Sequence, residues 1–75
     1  MDKQFKQIVE SVFKRKVNEN MNINNTPEWD SLNFLRLISS LEKVYKKKIK
    51  DDQLEKCTNL KNIFNIFKKY YTNEP

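Results

Sequence analysis

The sequence predicts an all-α fold, a small four-helix bundle with a short third helix and a long loop between helices one and two. Apolar residues recur at three- and four-residue intervals in three segments, the spacing of one face of an α-helix. An asparagine-rich stretch without that periodicity separates the first two segments. The chain has 75 residues, so we expect residues 1–75 to form a single domain.

The first predicted helix runs from about residue 2 to 16. Its apolar face consists of Phe5, Ile8, Val9, Val12 and Phe13. Residues 17–28 then lose the helical spacing and end at Thr26-Pro27, where the residue before proline is pushed away from helical geometry. This segment predicts a long loop across the end of the bundle. The residues expected to pin it to the core are Val17, Met21 and Ile23.

The second predicted helix runs from about Ser31 to Lys47, because Asp30 and Ser31 are both good N-cap residues. The face expected in the core carries Phe34, Leu37, Ile38, Leu41, Val44 and Tyr45. The opposite face carries Leu32, Arg36, Ser39 and Lys43, with Leu35 at its flank. Leucine on that face is not explained by burial within a monomer.

Two further helices complete the prediction. Residues 51–56 begin with two acids and contain one apolar anchor, Leu54, which predicts a helix of one or two turns. Thr58 or Asn59 can cap the last helix. The apolar face of that helix carries Leu60, Ile63, Phe64, Phe67 and Tyr71.

The composition excludes several classes of function. The chain has no histidine, so it lacks imidazole general-base chemistry and the commonest metal ligand. The single cysteine, Cys57, cannot form an internal disulfide and is expected to be a small buried apolar residue without chemistry. The first residues show no signal peptide and no segment could span a bilayer, so we expect a cytoplasmic protein without membrane contact.

Because glycine is absent, left-handed turn positions are expected to fall to asparagine.

The chain resembles the acyl carrier protein family. The likeness rests on Asp30-Ser31-Leu32 before an apolar helix with Leu37, Leu41-Glu42 and Tyr45, then Ile49, Asp51-Asp52 and Thr58. Family members often show this order of residues, and the similarity extends from the first helix to the fourth. Asp-Ser-Leu alone is a weak signal, but at this position in a chain of this length it is a specific one.

The resemblance implies that 4′-phosphopantetheine is attached to Ser31, donated by coenzyme A under a separate, magnesium-dependent phosphopantetheinyl transferase. Acyl groups would be held as thioesters on the thiol of this arm, and the carrier itself would catalyse nothing. It would have no catalytic residue and no resident metal, since Mg²⁺ acts only transiently with the transferase. By the same likeness Asp30 would help hold that metal and Leu32 would insert into partner enzymes.

Elementary chemistry agrees with this implication. A helix N-terminus offers free N–H groups and the positive end of the helix dipole to the negative charge of a phosphodiester. A serine without a neighbouring base is a poor nucleophile, so an external enzyme must activate it. The acyl cargo is best protected if it enters the apolar core between helices two and three.

The sequence departs from the family pattern at two places. Trp29 stands where many members carry glycine, and it can either pack under the loop or lie beside the arm. Fatty-acid carriers have an acidic second helix, whereas this chain has Asn33, Arg36 and Lys43 at matching positions. We therefore expect a dedicated monomeric carrier whose loading and acyl-using enzymes bear a neutral or acidic patch. The residues expected to dock these enzymes are Leu32, Leu35, Arg36, Ser39 and Lys43.

Three other interpretations compete with this one. An aminoacyl or peptidyl carrier of the same fold would share every feature above. A nucleic-acid-binding module would explain the net charge of +5 and the lysines at 46 to 48, 50, 61, 68 and 69. The run at 46 to 48 can instead be a solvated helix end, where cations complement the helix dipole. No recognition helix is evident, so we expect no nucleic-acid partner. A protein-interaction bundle with unmodified Ser31 would explain Leu32 and Leu35.

Overall fold

The computed structural model describes the backbone of residues 1–72 and the side chains of residues 1–68. Four α-helices follow one another: α1 Lys3–Phe13, α2 Ser31–Tyr45, α3 Asp51–Leu54 and α4 Leu60–Thr72. α1 packs against α2, and α2 packs against α4. The predicted all-α bundle, with its short third helix and long first loop, is confirmed. No helix in the described part of the chain is long and apolar enough to cross a membrane.

The core is built from the apolar faces of α1, α2 and α4. Aromatic rings join the helices: Phe5 meets Phe64 with ring centroids 5.1 Å apart, and Tyr45 meets Phe67 at 5.7 Å. The residues with no measurable exposure are Phe5, Val9, Leu37, Leu41, Leu60, Ile63 and Phe67. Val44, predicted to be in the core, is 40% exposed, because it lies at the edge of the α2 face. The predicted contribution of Tyr71 falls outside the described side chains.

α1 and α2 end in the same way, at two copies of one sequence pattern. Residues 10–17 read ESVFKRKV and residues 42–49 read EKVYKKKI. In each copy the lysine after the aromatic residue, Lys14 or Lys46, adopts a left-handed conformation, and its N–H donates to the backbone carbonyl of the glutamate. The carboxylate of that glutamate accepts a hydrogen bond from the backbone N–H seven residues later, 3.1 Å from Glu10 to Val17 and 2.9 Å from Glu42 to Ile49.

This shared helix stop corrects two predictions. α1 ends at Phe13 instead of residue 16, and α2 at Tyr45 instead of Lys47, because the left-handed residue turns the chain and the carboxylate holds the turn. The left-handed positions in the described chain belong to Lys14 and Lys46 and not to asparagine. The repeat itself was not predicted, since helix periodicity continues through both lysines.

The asparagines of the long loop fold the backbone through their side chains. Asn18 Oδ1 accepts from the Asn20 N–H at 2.9 Å, and Asn22 Oδ1 accepts from the Asn24 N–H at 2.8 Å. Such local bonds let a chain turn without left-handed residues. Val17 and Met21 are buried as predicted.

The loop is tied to the segment before α4 by backbone hydrogen bonds. Ile23 N donates to Thr58 O at 2.9 Å, and Leu60 N donates to Met21 O at 3.1 Å. The prediction that Ile23 is a core residue is wrong, since its side chain is 49% exposed. The pairing holds Ile23 at the surface because Met21 takes the adjacent inward position.

The last two helices begin as the sequence suggested, with one difference. Asn59 caps α4 by accepting from the Asn62 N–H at 2.8 Å. α3 begins at Asp51, where the predicted range begins, but its N-cap is Lys50, whose N–H donates to Gln53 Oε1 at 3.1 Å. Asp51 and Asp52 form the first turn, where their charges favour the helix dipole. Leu54 is half-buried against the core.

Candidate functional site

The start of α2 is fixed by Asp30. Its backbone is extended, its carbonyl accepts from the Phe34 N–H at 2.8 Å, and its Oδ1 accepts from the Asn33 N–H at 2.8 Å. Asn33 Nδ2 donates back to the carbonyl of Glu28 at 3.0 Å. Asp30 is therefore the N-cap, and Ser31 is the first helical residue. The Ser31 hydroxyl does not make the capping hydrogen bond.

Ser31 lies exposed at the head of α2. The leading N–H groups of a helix have no intrahelical acceptor. Asp30 accepts from Asn33 and Phe34, which leaves the N–H groups of Ser31 and Leu32 for an external anion. A negatively charged substituent on Ser31 is electrostatically favourable here.

The loop before Ser31 is held by the packing of Trp29 and by an ion pair of Glu28. Trp29 is 7% exposed, with its ring 5.6 Å from Phe13 and 6.5 Å from Phe34. Glu28 Oε1 accepts from Arg15 Nη1 at 2.9 Å, across the end of α1. A backbone hydrogen bond, and then the Arg15 guanidinium, hold the pKa of Glu28 below its usual value. These contacts place the head of α2 relative to α1.

An open, mainly apolar pocket of about 380 Å³ adjoins Ser31. It lies between the first loop, the head of α2 and the end of α3. The lining residues are Ile23, Trp29, Asp30, Ser31, Phe34, Leu54, Cys57 and Thr58. Trp29 packs under the loop, the first interpretation offered by the sequence, and it also lines the pocket beside Ser31.

Cys57 contributes to this pocket as an apolar surface. It is 3% exposed, and its Sγ donates to the Gln53 carbonyl at 3.3 Å. Burial raises the pKa of the Cys57 thiol to about 11. The thiolate is the reactive form of cysteine, and the raised pKa disfavours it at neutral pH, while the predicted burial of Cys57 is confirmed.

The outward face of α2 is apolar at one end and basic along its length. Leu32 is 58% exposed and Leu35 is 60% exposed. Arg36, Ser39 and Lys43 are also exposed. The one acid of α2, Glu42, is occupied by the Ile49 N–H. The predicted outward orientation of the two leucines is confirmed.

Sequence reasoning identified Asp30, Ser31 and Leu32 but missed most of the pocket. Ile23 and Thr58 line it together because their backbones are hydrogen bonded across 35 residues of sequence. No local sequence pattern predicts such a pairing. The one available signal was an isolated isoleucine within an asparagine-rich loop.

The small helical bundle thus places an exposed serine between a helix N-terminus suited to an anion and an apolar pocket. The family model for the phosphopantetheine attachment site matches residues 3–66. The chain therefore belongs to the phosphopantetheine attachment-site family and is a phosphopantetheine carrier protein. No curated protein matches the chain.

The cofactor of this family is 4′-phosphopantetheine, and the head of α2 fits it. The group joins the protein through a phosphate, for which the helix N-terminus is suited, and continues as an arm ending in a thiol, for which the pocket supplies an apolar surface. When bound, the group supplies a thiol at the end of its arm. Within residues 1–68 no three or more Asp, Glu, Cys or His side chains are grouped to hold a metal ion.

Proposed function

We propose that Ser31 is the attachment residue for 4′-phosphopantetheine and that the protein carries acyl groups as thioesters on this arm. The observation that carries the proposal is the exposed Ser31 hydroxyl at the head of α2, with Asp30 acting as the cap in its place. The family match favours a carrier over a nucleic-acid-binding module or an interaction bundle with an unmodified serine.

A separate transferase must supply the chemistry of attachment. Ser31 has no histidine in the chain to act as its base, and an unactivated hydroxyl is a weak nucleophile. Asp30 adjoins Ser31 and is exposed, and we propose that its carboxylate helps hold the transferase's Mg²⁺. One carboxylate makes a weak Mg²⁺ site by itself, which is consistent with a metal that stays with the transferase.

The pocket favours an acyl over an aminoacyl cargo. Ile23, Trp29, Phe34 and Leu54 give it an apolar lining. An aminoacyl thioester carries an ammonium group, which is costly to desolvate without a carboxylate partner. The one carboxylate in the lining, Asp30, is exposed to solvent, so it offers no desolvated partner to an ammonium group inside the pocket.

The charge of α2 favours a dedicated pathway. Arg36 and Lys43 are exposed, while Glu42 is directed to the backbone of Ile49. A docking surface of Leu32, Leu35, Arg36, Ser39 and Lys43 is complementary to enzymes with a neutral or acidic patch. Since housekeeping fatty-acid enzymes present basic patches to acidic carriers, we propose a specialised biosynthetic pathway and a cytoplasmic, monomeric protein.

Intact-mass measurement tests the proposal directly. The protein is incubated with coenzyme A, Mg²⁺ and a broad-specificity phosphopantetheinyl transferase. We expect the mass of one arm to be added, and fragmentation to locate it on the peptide containing Ser31. A complete absence of addition under conditions that load a control carrier would overturn the proposal, as would addition at another serine.

Reversing the charge of α2 is expected to change which enzymes accept the loaded carrier. In Arg36→Glu/Lys43→Glu, transfer of malonyl groups by a housekeeping fatty-acid transferase should rise about tenfold at low salt, because the new carboxylates complement its basic patch. The gain should shrink as salt screens the charges. Initial rates of acyl transfer at two salt concentrations give the measurement.

The matched control is Lys3→Glu/Lys6→Glu, which makes the same change in net charge on exposed positions of α1. If this control gains as much activity as the α2 variant, net charge and not the α2 surface determines acceptance.

A further inference from the structure

A shallow groove runs between α1 and α2, away from the pocket at Ser31. It consists of two adjoining depressions of about 480 and 380 Å³ that share Ser11, Val12 and Ser40. Lys14 and Leu35 lie at one end, and Gln4 and Val44 at the other. The eleven residues from Gln4 to Lys14 are separated by ten steps of about 1.5 Å, about 15 Å in all, so the groove is about three helical turns long.

The groove has an apolar stripe with small residues between its members. Leu35 is 60% exposed and Val44 is 40% exposed, while Ile8 and Val12 are half-buried. Ser11, Ser39 and Ser40 supply the small side chains, which allow another backbone to approach closely. Exposure of leucine and valine side chains to water is unfavourable, and a bound partner would bury them.

The charges around the groove are of one sign. α1 and α2 contain one acid each, and both are used internally: Glu10 accepts from the Val17 N–H and Glu42 from the Ile49 N–H. Lys14 and Arg36 line the groove and form no ion pair within the described part of the chain. Neither glutamate lines the groove, so the charged residues of its lining are Lys14 and Arg36, both basic.

We propose that this groove, which shares Leu35, Arg36 and Ser39 with the α2 docking surface and extends it onto α1, receives an acidic amphipathic helix of a partner protein. An apolar helix face fills a groove of this kind with residues three and four apart, and flanking glutamates would pair with Lys14 and Arg36. A second copy of this chain is disfavoured, because it carries a net charge of +5 and would bring like charges together. The inference does not depend on the arm, since Ser31 does not line the groove.

A designed peptide tests the groove. The probe is a 14-residue helical peptide with leucines on one face and glutamates beside them, added to the ¹⁵N-labelled full chain without the arm. We expect amide shifts concentrated at Ser11, Val12, Leu35 and Ser40. A matched peptide with lysine in place of every glutamate should bind at least about tenfold more weakly.

Two pairs of variants separate the groove from general effects. Arg36→Glu should weaken peptide binding about tenfold, whereas Lys6→Glu, the same charge change on an exposed residue outside the groove, should not. Leu35→Ala should weaken binding about fivefold through lost apolar contact. Leu32→Ala, an equally exposed leucine outside the groove, should leave it unchanged.

The outcomes that overturn the proposal are distinct from failure of arm attachment. They are no groove shifts at millimolar peptide, equal weakening by the members of either pair, or binding of anionic lipid vesicles that Leu35→Ala and Arg36→Glu abolish while the peptide fails to bind. The last result would assign the surface to a membrane. None of these results bears on whether Ser31 accepts phosphopantetheine.

Discussion

Replacing Ser31 by alanine is expected to abolish phosphopantetheine attachment while leaving the fold intact. Attachment at this position requires the hydroxyl oxygen of Ser31, which alanine lacks, so loading should fall below detection. The helix should survive because Asp30, and not Ser31, accepts the capping hydrogen bonds. A surface substitution of this kind changes the free energy of unfolding by less than about 0.5 kcal/mol. Intact mass reports loading, and urea unfolding followed by Trp29 fluorescence reports stability.

Asp30→Ala and Ser39→Ala are the informative companions. Asp30→Ala should lose the cap, which costs about 1 kcal/mol, and should also slow loading because the transferase loses a metal-facing carboxylate. Ser39→Ala, on the exposed face of the same helix, should load normally. Residual loading of Ser31→Ala, or its unfolding, would contradict the assignment.

The sequence was sufficient to predict the helices because their stability comes from amphipathic faces, which periodicity records directly. Phe5, Val9, Leu37, Leu41 and Phe67 are buried as their spacing requires. Helix ends were predicted less well. Lys14 and Lys46 are good helix formers by propensity. The chain turns there because a glutamate carboxylate accepts a hydrogen bond from a backbone N–H seven residues later, and helix periodicity does not predict that bond.

The candidate site likewise has one part that local sequence patterns predict and another part that they do not. Asp30, Ser31 and Leu32 are consecutive, so capping chemistry and helix phase placed them correctly before any coordinates. The pocket beside them depends on the pairing of Ile23 with Thr58 and on the end of α3. These contacts join segments far apart in sequence, and local patterns do not encode them.

The shared helix stop leads to the second large prediction: Glu42→Ala should lower the free energy of unfolding by about 1–3 kcal/mol. The Glu42 carboxylate is the acceptor for the part-buried Ile49 N–H, and alanine would leave that donor without it. A domain of this size has a net stability of only about 3–5 kcal/mol, so the loss is a large fraction of the total. Urea unfolding monitored by circular dichroism gives the measurement.

Matched variants distinguish the hydrogen bond from other effects of substitution. Glu42→Gln keeps an oxygen acceptor and should lose less stability, while Lys43→Ala, at the exposed neighbouring position, should change it by less than about 0.5 kcal/mol. Glu10→Ala removes the equivalent acceptor from Val17, and since the two sites share no partner, the two losses should add. Equal stability of Glu42→Ala and Lys43→Ala would show that the carboxylate does not hold the turn.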